Sequence, residues 1–188
     1  MEIILLRHGK PEIPSLKKIN AAGFSQWVEQ YNRAPLCSSS IPTNDVISMA
    51  KVCNAVVCSE LPRSIDSALA LGVEKINLKS SQFNEAGMPV ANWSFLKISP
   101  KLWAAFFRIL WLFGYSEKSE SIKDAKSRAS KSAKLLIDLA NKHDRVLFVG
   151  HGVYNRLLVK ELKSLGWSGP KSPGSKYWSY AVYGGIKI

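Results

Sequence analysis

Glu2-Ile3-Ile4-Leu5-Leu6-Arg7-His8-Gly9 sets four consecutive aliphatic residues directly before an arginine, a histidine and a glycine. The aliphatic run has the length and composition of a short strand buried on both faces. A guanidinium and an imidazole at the exit of such a strand serve no packing purpose. Gly9 lets the backbone turn sharply or approach a ligand closely. Ligands of open α/β folds sit outside the carboxyl ends of parallel strands, so this is the place to look for chemistry. Taken alone, the tripeptide also admits a plainer reading, in which Arg7 pairs with a carboxylate and His8 is a hydrogen-bonded core histidine.

The same oddity recurs further along. Residues 54–58, Asn-Ala-Val-Val-Cys, read as a second buried strand, followed by Ser59-Glu60-Leu61-Pro62-Arg63 and a helical run over 64–71 that stops at Gly72. Residues 75–79 alternate polar and apolar as a third strand would, and lead into a loop over 82–87 that contains Glu85. Residues 145–149 form another apolar strand, ending in Gly150-His151-Gly152 and followed by a helix from about Tyr154 to Leu165. Residues 177–183 read as a late strand before a short tail. Between these, Phe24, Trp27, Val28 and Tyr31 mark an amphipathic helix, 46–52 a shorter one, and 11–18 and 34–44 proline-bearing connections. A long helix starts near Ser121, with Asp124 in a capping-box-like position and Ile122, Ala125, Ala129, Ala133, Leu136 and Ala140 stepping by three or four. Strands alternating with helices predict a mostly parallel sheet covered by helices on both faces, a three-layer α/β/α architecture.

If those strands are parallel neighbours, their exits converge on one rim holding Arg7, His8, Arg63, His151 and Glu85. One shared reason accounts for them better than five separate ones, and a phosphoryl group supplies it. Arginine forks match phosphate oxygens bidentately, which lysine cannot do. A neutral imidazole can attack phosphorus as a covalent nucleophile. Phosphoryl transfer is catalysed mainly by positioning and electrostatic stabilisation. The leaving alkoxide needs a proton, and Glu85 is the candidate donor if burial keeps it protonated.

Four segments carry a family resemblance. Leu6-Arg7-His8-Gly9 resembles the arginine-histidine-glycine signature of the histidine phosphatase superfamily, whose phosphoglycerate-mutase-like branch includes mutases and phosphatases. Ser59-Glu60-Leu61-Pro62-Arg63-Ser64 is similar to that branch's second motif, Phe83-Asn84-Glu85 to the segment with the proton-donating glutamate, and Val149-Gly150-His151-Gly152 to the final histidine-glycine motif. The resemblance spans residues 3 to about 160, in family order. It implies a phosphoglycerate-mutase-like fold in which His8 becomes phosphorylated and Arg7, Arg63 and His151 grip the phosphate. It implies that Glu85 protonates the leaving group and then helps to activate water, with no metal and no cofactor. Many members have glutamate directly after the first glycine, where this chain has Lys10 and then Pro11. Lys10 is taken here as a substrate-attracting residue.

Composition narrows the partners. The chain has 188 residues, enough for one domain, with an aromatic-rich helical insertion read at about 90–118. Its core run over 102–113 is apolar almost all round apart from Arg108, so it reads first as core, then as a lid over a pocket or an interface with another subunit, and last as a helix lying on a membrane. Arg108 itself reads as a salt-bridged or snorkelling arginine before a pocket residue. The net charge of +12 favours anionic partners, here a phosphorylated small molecule or phosphoprotein. No nucleic-acid motif and no apolar run of about 18 residues is present, so neither nucleic acid nor a membrane is expected. Cys37, Cys53 and Cys58 have no metal-ligand spacing and are odd in number, which points to a reducing cytoplasm. His143, near a helix C-terminus, reads as a partner of the helix dipole. Three readings result: a cytoplasmic phosphomonoesterase working through His8, a mutase, and a non-catalytic module that docks a phosphate group.

Overall fold

The computed structural model describes residues 1–13 and 18–186; the connection expected over 11–18 and the end of the tail lie partly outside the described residues. The element order is β1 (Glu2–Arg7), α1 (Ala21–Arg33), α2 (Asn44–Lys51), β2 (Ala55–Cys58), α3 (Pro62–Ala70), β3 (Leu78–Lys79), α4 (Pro100–Leu112), α5 (Ile122–His143), β4 (Arg145–Gly150), α6 (Gly152–Ser164) and β5 (Tyr180–Gly184). The sheet runs β3-β2-β4-β1-β5. Its first four strands are mutually parallel, and β5 lies antiparallel against β1 at the edge.

The aliphatic runs are strands because each must feed two cores. Ile3, Leu5, Ala55, Val57, Val146 and Phe148 face one side of the sheet, where α5 and α6 cover them. The intervening Ile4, Leu6, Val56, Cys58, Leu147 and Val149 face the other, under α2 and α3. Alternation of side chains along a strand turns one apolar run into two buried faces. Burying each such side chain contributes about 1.5–3 kcal/mol. Helices on both faces make the three layers expected from the sequence.

Helix ends follow local chemistry. Ser121 caps α5 by accepting the Asp124 N–H at 3.1 Å, and its hydroxyl donates to the Asp124 carboxylate at 2.7 Å. Pro62 occupies the first turn of α3, where a missing N–H costs nothing. Two strands are shorter than the alternation suggests. In β3 only two residues pair, because Asn77 turns its side-chain carbonyl onto the Val56 N–H at 2.8 Å and ends the ladder there. The late strand begins at Tyr180, because Trp178 adopts a left-handed φ of 64° that no regular strand accommodates.

The third cluster joins α1 to α4. Phe24 stacks on Phe107 at 5.4 Å, and Trp103 donates its indole N–H to the Ile19 carbonyl at 2.7 Å. Trp103, Phe107 and Trp111 are buried along one face of α4, whereas Leu102, Phe106, Ile109 and Leu112 are exposed. The run is therefore core on one side only. No helix of the described residues is long and apolar enough to cross a membrane.

Candidate active site

The parallel register of β1 and β4 sets Arg7 opposite Gly150, so the next residue on each strand is a histidine. His8 continues the ladder by donating its N–H to the Gly150 carbonyl at 3.0 Å, and the two imidazole centroids lie 5.0 Å apart. Both rings are buried. Asn155 of α6 ties the two strand ends together: its amide donates to the Leu6 carbonyl at 3.1 Å and its carbonyl accepts the His151 N–H at 3.2 Å.

α3 brings in the third strand exit. Its Ser64 hydroxyl donates to the Val149 carbonyl at 2.5 Å, and Ser67 accepts the Gly9 N–H at 2.9 Å, so the helix is bound to β4 and to the turn after β1. Arg63, fully buried, donates Nε–H to His8 Nε2 at 3.3 Å and an Nη1–H to the Tyr31 carbonyl at 2.9 Å. Gly9 is required by packing rather than by a ligand. A Cβ there would stand 2.4 Å from the Trp178 ring and 2.5 Å from Leu36.

Hydrogen bonding sets the state of each ring. His8 Nδ1 lies 2.6 Å from the Gly9 carbonyl, which can only accept, so Nδ1 carries the proton and Nε2 a lone pair. Burial, then the charge of Arg63, pushes the His8 pKa down to about 3, so the ring is neutral at ordinary pH. His151 Nε2 lies 2.7 Å from Ser59 Oγ, which already accepts the Leu61 N–H at 3.3 Å. With the Ser59 hydroxyl donating to Nε2, the His151 proton lies on Nδ1. Burial first, and then the neighbouring His8 and Arg63, hold the His151 pKa well below the usual range.

Three buried nitrogens at this place have no hydrogen-bond partner: Arg7 Nε, Arg63 Nη2 and His151 Nδ1. Buried polar groups are almost always satisfied, so unmet donors gathered at one site mark where an acceptor binds. Two tyrosines cover the guanidiniums. The Tyr31 ring lies 4.6 Å from the Arg63 guanidinium carbon, and the Tyr177 ring 4.6 Å from that of Arg7. Arg7 also donates to the Ser175 carbonyl. A pocket of about 470 Å³ opens above them, lined by Arg7, Arg63, Glu85, Tyr31 and Tyr177, with Trp27, Val28, Met88, Ala104 and Ala105 among its walls.

Glu85 reaches this pocket from the loop after β3. Its Oε1 accepts from the Tyr154 and Ala86 N–H groups at 2.8 and 2.9 Å, and Oε2 from Val153 at 3.2 Å. The carboxylate therefore sits on the first turn of α6, with Oε1 saturated and Oε2 retaining one open lone pair. Arg128 donates to the carbonyls of Gln82 and Asn84 at 2.7 and 2.9 Å, ahead of the glutamate. Arg108 donates to those of Ala86 and Gly87 at 3.1 and 2.9 Å, behind it. Arg108 thus serves the loop backbone, and its guanidinium carbon lies 4.7 Å from the Trp111 ring. It forms none of the ion pairs among the described residues.

The structure therefore brings Arg7, His8, Arg63 and His151 together; Arg7, Arg63 and Glu85 line the pocket, and the two histidines lie buried beneath it without lining it. Lys10 is not brought in. Its side chain is exposed and does not line the pocket, while its backbone pairs with Ser40 and Cys37. Sequence reasoning missed Tyr31, Ser59, Arg128, Asn155 and Tyr177. Among these only Ser59 lay inside one of the four motif segments. Among the described residues no group of three or more His, Cys, Asp or Glu side chains is placed to hold a metal ion.

No protein-family model matches the sequence, and neither does any curated protein. Solved structures do match. An open reading frame of Mycobacterium tuberculosis aligns over 98% of this chain and 91% of its own, with a TM-score of 0.63 at 17% identity. A mycobacterial glucosyl-3-phosphoglycerate phosphatase aligns over 96% and 88%, with a TM-score of 0.60 at 19% identity. The alpha-ribazole phosphatase of Shigella flexneri aligns over 86% and 79%, with a TM-score of 0.56 at 18% identity. At such identities the likeness is one of architecture: the chain has the three-layer α/β fold of these solved structures.

Proposed function

We propose that this protein is a phosphomonoesterase that works through a phosphohistidine at His8, on a phosphorylated small molecule or phosphoprotein. The observation that carries the reading is the set of unpartnered buried donors, Arg7 Nε, Arg63 Nη2 and His151 Nδ1, gathered around an imidazole whose Nε2 holds a lone pair. Three N–H donors and two positive charges fit the oxygens of one phosphoryl group. Solved neighbours that share the fold include phosphatases of glucosyl-3-phosphoglycerate and of alpha-ribazole phosphate, and one of them was crystallised with VO3.

The chemistry follows from the atoms. His8 Nε2 attacks phosphorus as the ester P–O bond breaks, and the leaving oxygen takes a proton from Glu85 at Oε2. The Nδ1–H to Gly9 bond is kept throughout, so it steadies the ring as positive charge develops on it. Arg7, Arg63 and His151 hold the three equatorial oxygens in the transition state. In the second step water attacks phosphorus, the P–N bond breaks, Glu85 takes the water proton, and His8 is returned neutral. The two guanidiniums supply the charge that a metal ion would otherwise provide, so the activity is metal-independent in this reading.

The test is phosphate release from p-nitrophenyl phosphate, alongside acid quenching of a reaction with labelled substrate. Wild-type protein should release phosphate with EDTA present and carry an acid-labile label that His8→Ala lacks. Transfer of label to a second hydroxyl without phosphate release would show a mutase instead. Binding of phosphate with neither label nor turnover would show a docking module.

A further inference from the structure

We propose that the outer face of α4, with the loop before it, docks onto an anionic lipid surface. Leu102, Phe106, Ile109 and Phe113 recur at spacings of four, three and four, which places them on one stripe of the helix. All are exposed, Ile109 at 55% and Phe113 at 86%, and Phe95 of the preceding loop, 83% exposed, is linked to Phe106 through the Trp93 ring, whose centroid lies 6.3 and 6.2 Å from theirs. The buried stripe of Trp103, Phe107 and Trp111 already faces the interior, so nothing in the fold covers this second stripe. A contiguous apolar patch of this kind on a folded surface marks an interaction site.

Charge selects the occupant. From residue 86 to residue 116 the chain contains no aspartate or glutamate, whereas it contains Lys97, Lys101 and Arg108. Lys97 and Lys101 are both exposed and flank the stripe at its N-terminal end. A second copy of this chain meeting the face about a two-fold axis would oppose lysines to lysines, with no acid on the face to offset them. An anionic bilayer meets both features at once, taking up the aromatic and aliphatic side chains while its headgroups pair with the lysines. Hydropathy along the sequence discouraged a membrane partner because it detects spanning segments. A helix lying in the interface needs only one such stripe. Lys101, Ala104, Ala105 and Arg108 of the same helix line the pocket, so docking would carry the pocket mouth to the lipid boundary.

Vesicle co-sedimentation tests this without reference to catalysis. The full chain should bind phosphatidylcholine vesicles containing about 30 mol% phosphatidylserine at least tenfold more tightly than pure phosphatidylcholine, and lose that preference in about 1 M salt. The double variant Ile109→Ser/Phe113→Ser should lose binding with an unchanged melting temperature, because both side chains are exposed. Equal binding to both vesicles, no binding to either, or retention by the double variant would overturn the proposal. So would a wild-type dimer in sedimentation velocity that the double variant dissolves, which would assign the face to a second copy.

Discussion

Arg63 donates its Nε–H directly onto the Nε2 lone pair of His8, at 3.3 Å, while its Nη2 has no partner. One guanidinium therefore masks the nitrogen proposed to attack and supplies an unmet donor beside it. Replacing it by lysine keeps a charge and loses the fork. Arg63→Lys should lower kcat/KM for p-nitrophenyl phosphate by about 10²–10³, the usual cost of one transition-state donor. Steady-state kinetics check this, and an unchanged circular dichroism spectrum shows that the fold survives.

The neutrality of His8 makes stability depend on pH. Its folded-state pKa lies near 3, below the ordinary value of 6.5, so the unfolded chain binds the proton more readily. The folded state is accordingly favoured above about pH 6.5 and loses that advantage as pH falls toward 3. By pH 4 the loss from this one group is at most about 3 kcal/mol. His8→Gln removes the group, so its melting temperature should fall less steeply than wild type between pH 6.5 and 4. Parallel slopes would rule the assignment out.

Ser59 positions His151 without facing the pocket. A Ser59 hydroxyl that donates to Nε2, 2.7 Å away, keeps the remaining N–H on Nδ1. Ser59→Ala should reduce kcat by about tenfold, a fraction of the cost of losing a donor outright. Ser59→Thr should restore it, since a threonine hydroxyl can make the same bonds. The Nδ1 and Nε2 nitrogen shifts of His151 report the tautomer directly, and an unmoved tautomer in Ser59→Ala would count against this role.

Glu85 is held by arginines on either side of it, Arg128 on the carbonyls of Gln82 and Asn84 and Arg108 on those of Ala86 and Gly87. Removing one brace misplaces the carboxylate while leaving the oxyanion cradle intact. Arg108→Ala should therefore lower kcat by about 10²-fold, as a displacement of roughly 1 Å can. Inhibition by orthovanadate, which reports on Arg7 and Arg63, should change by less than about threefold. A parallel loss of vanadate affinity would show that the cradle itself had collapsed.

What was legible in the sequence depended on how local its cause was. Runs such as 3–6 and 146–149 are apolar on every residue, so they could only be strands covered twice, and the three layers followed. Arg7, His8, Arg63 and His151 were legible because charge at the end of such a run has no packing explanation. Tyr177 was hidden because it was read as strand, and only the left-handed Trp178 turns that segment into a cover for Arg7. The role of Arg108 was equally hidden, since the carbonyls it serves come from a loop 21 and 22 residues earlier in the chain. Lys10 follows Gly9 in sequence, yet its exposed side chain stands away from the pocket lining.

The strand order carries a kinetic corollary. β4, the last parallel strand in the chain, lies between β1 and β2 and pairs with both. Until it slides in, the inner edges of those two strands remain open ladders, a hazard for intermolecular pairing. His151 arrives with that same insertion, so the two imidazoles meet only when the sheet closes. Recovery of turnover on refolding should thus coincide with the final closure phase, and half-built chains would be inert toward phosphate esters.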